Sequence, residues 1–198
     1  VILGVLGGSF DPVHTGHVAM VEHVLRHRLA DHVLVIPNRQ SPWREAPLAG
    51  PHDRLAMCRL AFADPSQVTV DGREIAGPTP SFTVETLAEL AQERPTDRLR
   101  LVIGGDHLAT FRQWREPERI LSLAELIVLD RGGLAGGEAA RVAADLPPDR
   151  LVAAPPFDQA VSASAVRGML AAGDRPGALL LPPAVAAYIE AHCLYRTV

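Results

Sequence analysis

The sequence predicts an α/β fold with a doubly wound, mostly parallel sheet, and three observations predict it. Short apolar runs rich in Val, Ile and Leu recur along the chain, too short for helices and suited to buried strands. Between them lie longer stretches whose apolar residues return at helical spacing. Several of the runs end in glycines or a carboxylate, as a ligand crevice at the carboxyl ends of parallel strands requires. Strands alternating with helices imply a sheet covered on both faces. The 198 residues, 47% hydrophobic and 21% charged, suffice for one well-packed core. No repeat, low-complexity tract or linker divides them, so one domain is expected over 1–198, with the helices from about 162 onward belonging to it.

Val1–Leu6 is the first expected strand. Val18, Val21, Val24 and Leu25 then mark a helix, with Thr15 as the candidate cap. His32–Pro37 reads as a second strand, and Asn38–Pro51 as a long loop holding Pro42, Trp43, Arg44, Pro47 and Pro51. His52–Ala63 is expected to be helical and to stop at Asp64-Pro65. Val68–Val70 and Arg73–Ala76 read as short strands flanking Asp71-Gly72. Pro80–Glu93 opens with Ser81 and carries Val84, Leu87 and Leu90 on one helical face. Leu99–Ile103 is a strand that runs into Gly104-Gly105-Asp106. Glu116–Leu123 is a helix, and Leu126–Leu129 a strand ending at Asp130-Arg131-Gly132-Gly133. A helix over Glu138–Asp145, a strand over Leu151–Ala153 and a helix over Ser162–Ala172 closed by Gly173 follow. Pro182 and Pro183 introduce the final helix.

The chemistry concentrates in Gly7-Gly8-Ser9-Phe10-Asp11-Pro12-Val13-His14-Thr15-Gly16-His17, the turn from the first strand into the first helix. The two glycines let backbone N–H groups approach a ligand with no Cβ in the way. Gly16 lets something lie close to the first helical turn, whose N-terminus attracts phosphate. His14 and His17, three residues apart at that end, would address the same anion. The stretch reads as a nucleotide phosphate site. His-x-x-His is also half a metal site, but no Glu lies between the histidines and no Cys/His cluster recurs, so no metal ligand set is expected.

Composition narrows the partners. A net charge of −4 argues against nucleic acid, and no apolar stretch approaches the ~20 residues of a membrane span. No signal peptide is visible, so a cytoplasmic protein is expected. Cys58 and Cys193 fall in apparent helices and read as small core residues, not a disulfide. All 19 basic Lys+Arg residues are arginine.

The eleven-residue string resembles the signature of the nucleotidyltransferases that carry an HxGH motif, and its opening is most similar to the nicotinate mononucleotide adenylyltransferases. The similarity continues in order through Pro80-Ser81-Phe82-Thr83-Val84-Glu85-Thr86-Leu87, Ile103-Gly104-Gly105-Asp106, Trp114, Asp130-Arg131-Gly132, Val161-Ser162-Ala163-Ser164-Ala165-Val166-Arg167 and the Tyr188-Ile189…Leu194-Tyr195 tail. The resemblance implies a Rossmann-like domain of the nucleotidyltransferase type. It implies transfer of AMP from ATP to nicotinate mononucleotide, giving deamido-NAD and pyrophosphate, with Mg2+ (magnesium) carried by the ATP. ATP and nicotinate mononucleotide are the partners expected, without nucleic acid or membrane, and a homo-oligomer stays open.

On that resemblance, His14, His17, Arg44, Ser164 and Arg167 are the candidate catalytic residues. Gly7, Gly8, Ser9, Phe10, Gly16, Gly104, Asp106 and Ser162 are the candidate ATP contacts, and Thr86, Trp114 and Arg131 those for the mononucleotide. Each has a plainer reading beside it. Ser162 reads equally as an N-cap, Arg167 as a solvated helix residue and Asp106 as a cap for the helix of Leu108. Trp114 reads as a ring stacked on pyridine or as core, and Arg131 as a phosphate partner or a residue facing water. The chain departs from the family pattern at Trp43-Arg44 for His-Lys, at Ala163 for Ser and at Glu85 for Asp. The alternative functions are phosphopantetheine adenylyltransferase or another HxGH nucleotidyltransferase, and a nucleotide-binding module without catalysis. No strand runs into Gly-x-Gly-x-x-Gly, which sets a dinucleotide dehydrogenase aside.

Overall fold

A computed structural model describes residues 1–42, 45–64, 66–129, 137–159 and 161–196. Six strands, β1 (Ile2–Gly8), β2 (His32–Pro37), β3 (Val68–Val70), β4 (Arg98–Gly104), β5 (Ala124–Leu129) and β6 (Leu151–Val152), form one sheet in the order β3-β2-β1-β4-β5-β6. The β1–β4, β4–β5 and β5–β6 pairs are parallel, with Leu3 opposite Leu99, Leu101 opposite Leu126 and Leu126 opposite Leu151. The strand order reverses between β1 and β4, and both strands end in glycine at that reversal, where open α/β sheets take their ligands. The expected α/β class with a doubly wound sheet is borne out.

Nine helices accompany the strands among the described residues: α1 (Thr15–Arg26), α2 (Pro51–Ala61), α3 (Arg73–Ala76), α4 (Thr83–Glu93), α5 (Gly105–Ala109), α6 (Pro117–Leu123), α7 (Gly137–Ala144), α8 (Ala163–Ala171) and α9 (Pro183–Ala191). Two compact units divide the chain.

The first unit comprises Val1–Gly7, Met20–Leu34 and Phe82–Asp158. Leu3 and Val5 of β1, Leu101 and Ile103 of β4, and Leu126 and Ile127 of β5 are buried, as strands covered on both faces must be. Leu87 and Leu90 of α4, with Leu108 and Phe111, complete that core. Arg100 crosses from β4 to Glu125 of β5 at 2.8 Å and donates to the Leu29 carbonyl at 2.6 Å.

The second unit comprises Gly8–Ala19, Val35–Ser81 and Gln159–Val198. Its centre is polar. Arg54 of α2 is completely buried, and its guanidinium donates to the carbonyls of Ser9 (2.6 Å), Asn38 (2.7 Å), Arg39 (2.9 Å) and Ala49 (3.3 Å). Three of these carbonyls lie on the segments that leave β1 and β2, so one side chain holds both exits. Beside it α9 is pinned to α2 by the Tyr188 hydroxyl, which donates to Asp53 Oδ1 at 2.9 Å.

Three local expectations are corrected. Arg73–Ala76 is the helix α3, not a strand, because the Asp71 carboxylate accepts the Arg73 N–H (2.9 Å) and pairs with Arg73 Nε (2.8 Å). That side-chain turn lets the Gly72 carbonyl collect the Ile75 and Ala76 N–H groups and closes a helical turn in place of a hairpin. Thr15 does not cap α1; its hydroxyl donates to the Leu179 carbonyl at 2.7 Å and reaches that of Leu180 at 3.3 Å. Cys58 is buried as expected, but Cys193 is exposed and follows α9; neither forms a disulfide.

Replacing Arg54 with Ala leaves four buried carbonyls without their donor. We expect a loss of about 3–5 kcal/mol in urea unfolding. Arg54→Lys should recover only a part, since an ammonium cannot span four acceptors in a plane. A loss below about 1 kcal/mol would mean that water satisfies these carbonyls.

Candidate active site

The second unit holds the two histidines. His14 is the N-cap of α1: its carbonyl accepts the His17 N–H (2.9 Å) and the Val18 N–H (3.3 Å). His17 stands three residues on, and its Nδ1 accepts the His14 N–H at 3.2 Å. This is the reciprocal bond that Glu or Gln makes in a capping box, supplied here by an imidazole. The bond assigns the tautomer: Nδ1 is the acceptor, so Nε2 carries the proton and is a donor.

The two rings stack with centroids 3.7 Å apart and 25° between planes, and the Phe10 ring meets His17 edge-on at 4.8 Å. Phe10 is buried and held at φ 48°, which turns its ring under the helix end. Gly16 packs closely there: a Cβ would lie 3.0 Å from the His14 ring, which would have to give way. His14 is 6% exposed, and its Nδ1 is buried without a hydrogen-bond partner among the described residues. Burial pushes its pKa from the usual 6.5 down to about 4, so the ring is neutral at pH 7. His14 is therefore a neutral ring stacked on His17, and the pair is not a doubly charged cationic clamp.

The helix end itself is less open than the sequence suggests. The His14 N–H goes to His17, and the Thr15 N–H goes to the Leu180 carbonyl at 3.1 Å.

Ser162, Ser164 and Arg167 sit on α8 or its cap, in the same unit. Ser162 is its N-cap, with Oγ accepting the Ala165 N–H at 3.2 Å, which is the plainer of its two readings. Ser164 is exposed, and its Oγ accepts from Arg167 Nη2 at 3.3 Å. Arg167 is half-buried, and its Nη1 donates to the Asp11 carbonyl at 2.7 Å. A residue from α8 is thereby attached to the very loop that carries His14 and His17. Within that loop, Gly8 faces the Phe10 ring, which a Cβ would approach to 3.2 Å. Ser9 Oγ accepts from Asn38 Nδ2 at 3.5 Å, and the Asn38 N–H donates to the Gly8 carbonyl at 2.9 Å.

The first unit holds the remaining described candidates. Gly7 is exposed at the end of β1. Asp106 lies in the first turn of α5, with Oδ1 only 2.6 Å from where a Gly104 Cβ would be, so any larger residue there would move the carboxylate. Thr86 is buried on α4. Trp114 is half-buried and not core; it meets Phe111 at 5.6 Å and His107 at 6.1 Å between centroids. Arg115 ties its neighbourhood to α4, bonding Glu85 at 2.9 Å and lying 4.5 Å over the Phe82 ring. Arg44, Trp43 and Arg131 lie outside the described residues.

Three structural residues of the site escape the sequence reading. Asp11 is 7% exposed and accepts the N–H groups of Leu48 (2.9 Å) and Ala49 (3.0 Å) and the Tyr195 hydroxyl (2.8 Å). Arg54 holds the loop from below, and Tyr195 reaches it from the chain end. Arg54 left one trace in the sequence: it shares a helix face with Met57 and Cys58, an arginine among apolar positions.

Comparison with known proteins bears on this arrangement. The cytidylyltransferase-like family matches residues 5–169. A protein of Roseiflexus sp. (strain RS-1), named "Probable nicotinate-nucleotide adenylyltransferase", is 41% identical over 98% of both chains. A protein of Pseudomonas entomophila with the same name is 36% identical, over 98% of this chain and 94% of its own. The chain belongs to the nicotinate-nucleotide adenylyltransferase family. A solved structure of the Plasmodium falciparum nicotinic acid mononucleotide adenylyltransferase complexed with APC superposes with a TM-score of 0.79. It covers 98% of this chain and 96% of its own, and at 19% identity it shows the fold that this adenylyltransferase family member shares. Among the described residues of the adenylyltransferase chain, no group of three or more His, Cys, Asp or Glu is placed to hold a metal ion, and no helix is long and apolar enough to cross a membrane.

The buried neutral His14 has a consequence for stability. Its proton affinity is lower folded than unfolded, so the unfolded chain binds the extra proton between about pH 6.5 and about pH 4. Stability from this group is present above pH 6.5 and is lost as pH falls through that window, by up to about 3 kcal/mol. Urea unfolding between pH 7 and 4 should show a shallower acid loss in His14→Asn than in the parent. Parallel curves would mean that His14 is not the buried base.

Proposed function

We propose that the chain transfers the adenylyl group of ATP to nicotinate mononucleotide, forming deamido-NAD and pyrophosphate. The observation that carries this reading is the stacked His14–His17 pair at the head of α1, on a loop to which Arg167 of α8 is bonded, in a chain of this family. A phosphate oxygen of the mononucleotide attacks the α-phosphorus of ATP. The bond from that phosphorus to the oxygen bridging to the β-phosphorus breaks, and pyrophosphate leaves with the electron pair. The attacking phosphate is mostly ionised near neutrality, its second pKa being about 6, so no strong base is required.

Catalysis then reduces to positioning and to meeting charge on the transferred and departing phosphates. His17 Nε2–H is the donor we assign to the charge that develops on the transferred group. Neutral His14 supports it by stacking, and Arg167 with Ser164 takes the departing pyrophosphate. Ser162, the glycines 7, 8, 16 and 104, Ser9 and Phe10 are assigned to ATP, and Asp106 to a ribose hydroxyl. Thr86 and Trp114 are assigned to the pyridine ring, and Arg44 and Arg131 to phosphate. Magnesium enters as part of the substrate, MgATP, and the cytoplasm is the setting these substrates imply.

The test is pyrophosphate release with MgATP and each acceptor in turn. Nicotinate mononucleotide should outpace nicotinamide mononucleotide and phosphopantetheine. If phosphopantetheine alone is productive, the substrate assignment fails while the fold stands.

The tautomer of His17 yields a sharper test of its role. His17→Ala should lower kcat by about 100-fold with ATP affinity moving far less, by analogy with lost oxyanion donors. His17→Gln places an amide N–H near the former Nε2 and should recover part of that loss. His17→Asn can replace only the Nδ1 acceptor; it should restore the helix cap and stability without restoring turnover. Single-turnover rates with direct ATP binding decide this, and equal recovery by Gln and Asn would sink the assignment of Nε2 as the donor.

A further inference from the structure

The placement of Arg167 depends on a residue near the other end of the molecule's sequence. Arg167 Nη1 donates to the Asp11 carbonyl at 2.7 Å, while the Asp11 carboxylate oxygen Oδ2 lies 3.9 Å away, beyond hydrogen-bonding distance. A carboxylate that close to a guanidinium ordinarily draws it into a direct, bidentate pair. Here the carboxylate is already engaged: Leu48 N–H on Oδ2, and Ala49 N–H with the Tyr195 hydroxyl on Oδ1. Tyr195 stands at φ 64°, beyond α9 and beyond the residues matched by the cytidylyltransferase-like family. Burial first, and then Asp11, raise the phenol's pKa, so Tyr195 stays a proton donor across the working range.

We propose that Tyr195 is a positioning residue of the adenylyl-transfer site: by sharing the charge of Asp11, its hydroxyl leaves Arg167 on the backbone carbonyl and available to phosphate. Remove the hydroxyl and Oδ1 keeps a single donor. The carboxylate then competes for its nearest cation, and Arg167 swings from the Asp11 carbonyl into an ion pair. A guanidinium committed to a carboxylate is a poorer phosphate ligand, both in charge and in geometry. The C-terminal tail thus belongs to the catalytic apparatus although it touches no substrate. This inference rests on the assignment of Arg167 to the departing pyrophosphate, made above.

Tyr195→Phe keeps the ring and its packing and removes only the hydroxyl. It should lower kcat about tenfold with the KM for the mononucleotide nearly unchanged, a fraction of the ~100-fold that a full ~1 Å misplacement of a catalytic group costs, because the Ala49 N–H still holds Oδ1. In an Arg167→Ala background the same substitution should change kcat less than about twofold, because the group it positions is gone. A merely structural role would lower kcat by the same factor in both backgrounds and overturn the proposal. A second arm needs no activity: the 15N guanidinium resonances of Arg167, identified by their loss in Arg167→Ala, should shift in Tyr195→Phe. Unshifted resonances overturn the positioning role whether or not the parent is active. A parent inactive on every acceptor, with shifted resonances, overturns instead the functional reading on which the proposal rests.

Discussion

The burial of the Arg54 guanidinium among four backbone carbonyls is the constraint on which the rest of the second unit depends. A buried charge without partners costs several kcal/mol, and this one is balanced by carbonyl dipoles aimed at it. Those carbonyls belong to Ser9, Asn38, Arg39 and Ala49, so the arginine converts three stretches of irregular chain into a rigid floor. Next to Ser9, one of the residues held there, Phe10 meets the His17 ring edge-on. Loops that carry chemistry need such a scaffold, because they have no ladder of their own to hold them. Here a single planar side chain, with five N–H donors in a fixed plane, supplies it.

A second polar centre, Asp11, complements the first. Its carboxylate gathers two amides and a phenol, and its carbonyl gathers a guanidinium. Burial would raise the energy of an ionised carboxylate, and these donors offset that cost. The arrangement gathers chain segments that are remote in sequence, 45–50, α8 and the C-terminal tail, onto one turn of the motif. The charges of Arg54 and Arg167 are thus engaged in holding the loop on which the His14–His17 pair stands. The absence of lysine fits the same economy of geometry, since arginine brings planar, multiple bonds where lysine brings a point charge.

Much of this was legible beforehand because it is local. Apolar runs, their spacing and their glycine ends mark β1, β2, β4 and β5, and the alternation with helices marks the parallel sheet. The HxGH string marks itself. The helix α8 with Ser162 at its cap and Gly173 beyond its end follows from capping chemistry alone. What misled were places where a side chain redirected the backbone. Asp71-Gly72 suggests a hairpin, yet the Asp71 carboxylate turns the chain into α3. Thr15 has the chemistry of a cap, yet a remote carbonyl at Leu179 claims its hydroxyl, and His17 does the capping.

The sequence by itself determined the fold class, the family and the identity of the histidines, because each is written in neighbouring residues with a fixed spacing. Only the tertiary structure decided their state. That His14 is neutral follows from its burial, which no window of sequence measures. That His17 presents Nε2 follows from one bond to a backbone amide. That Arg54 is sunk, that Asp11 carries four donors and that Tyr195 reaches back 184 residues to join them depend on contacts between segments far apart in the chain. Such contacts exist only once the core has closed, and their energies are set by the loss of water that closing brings.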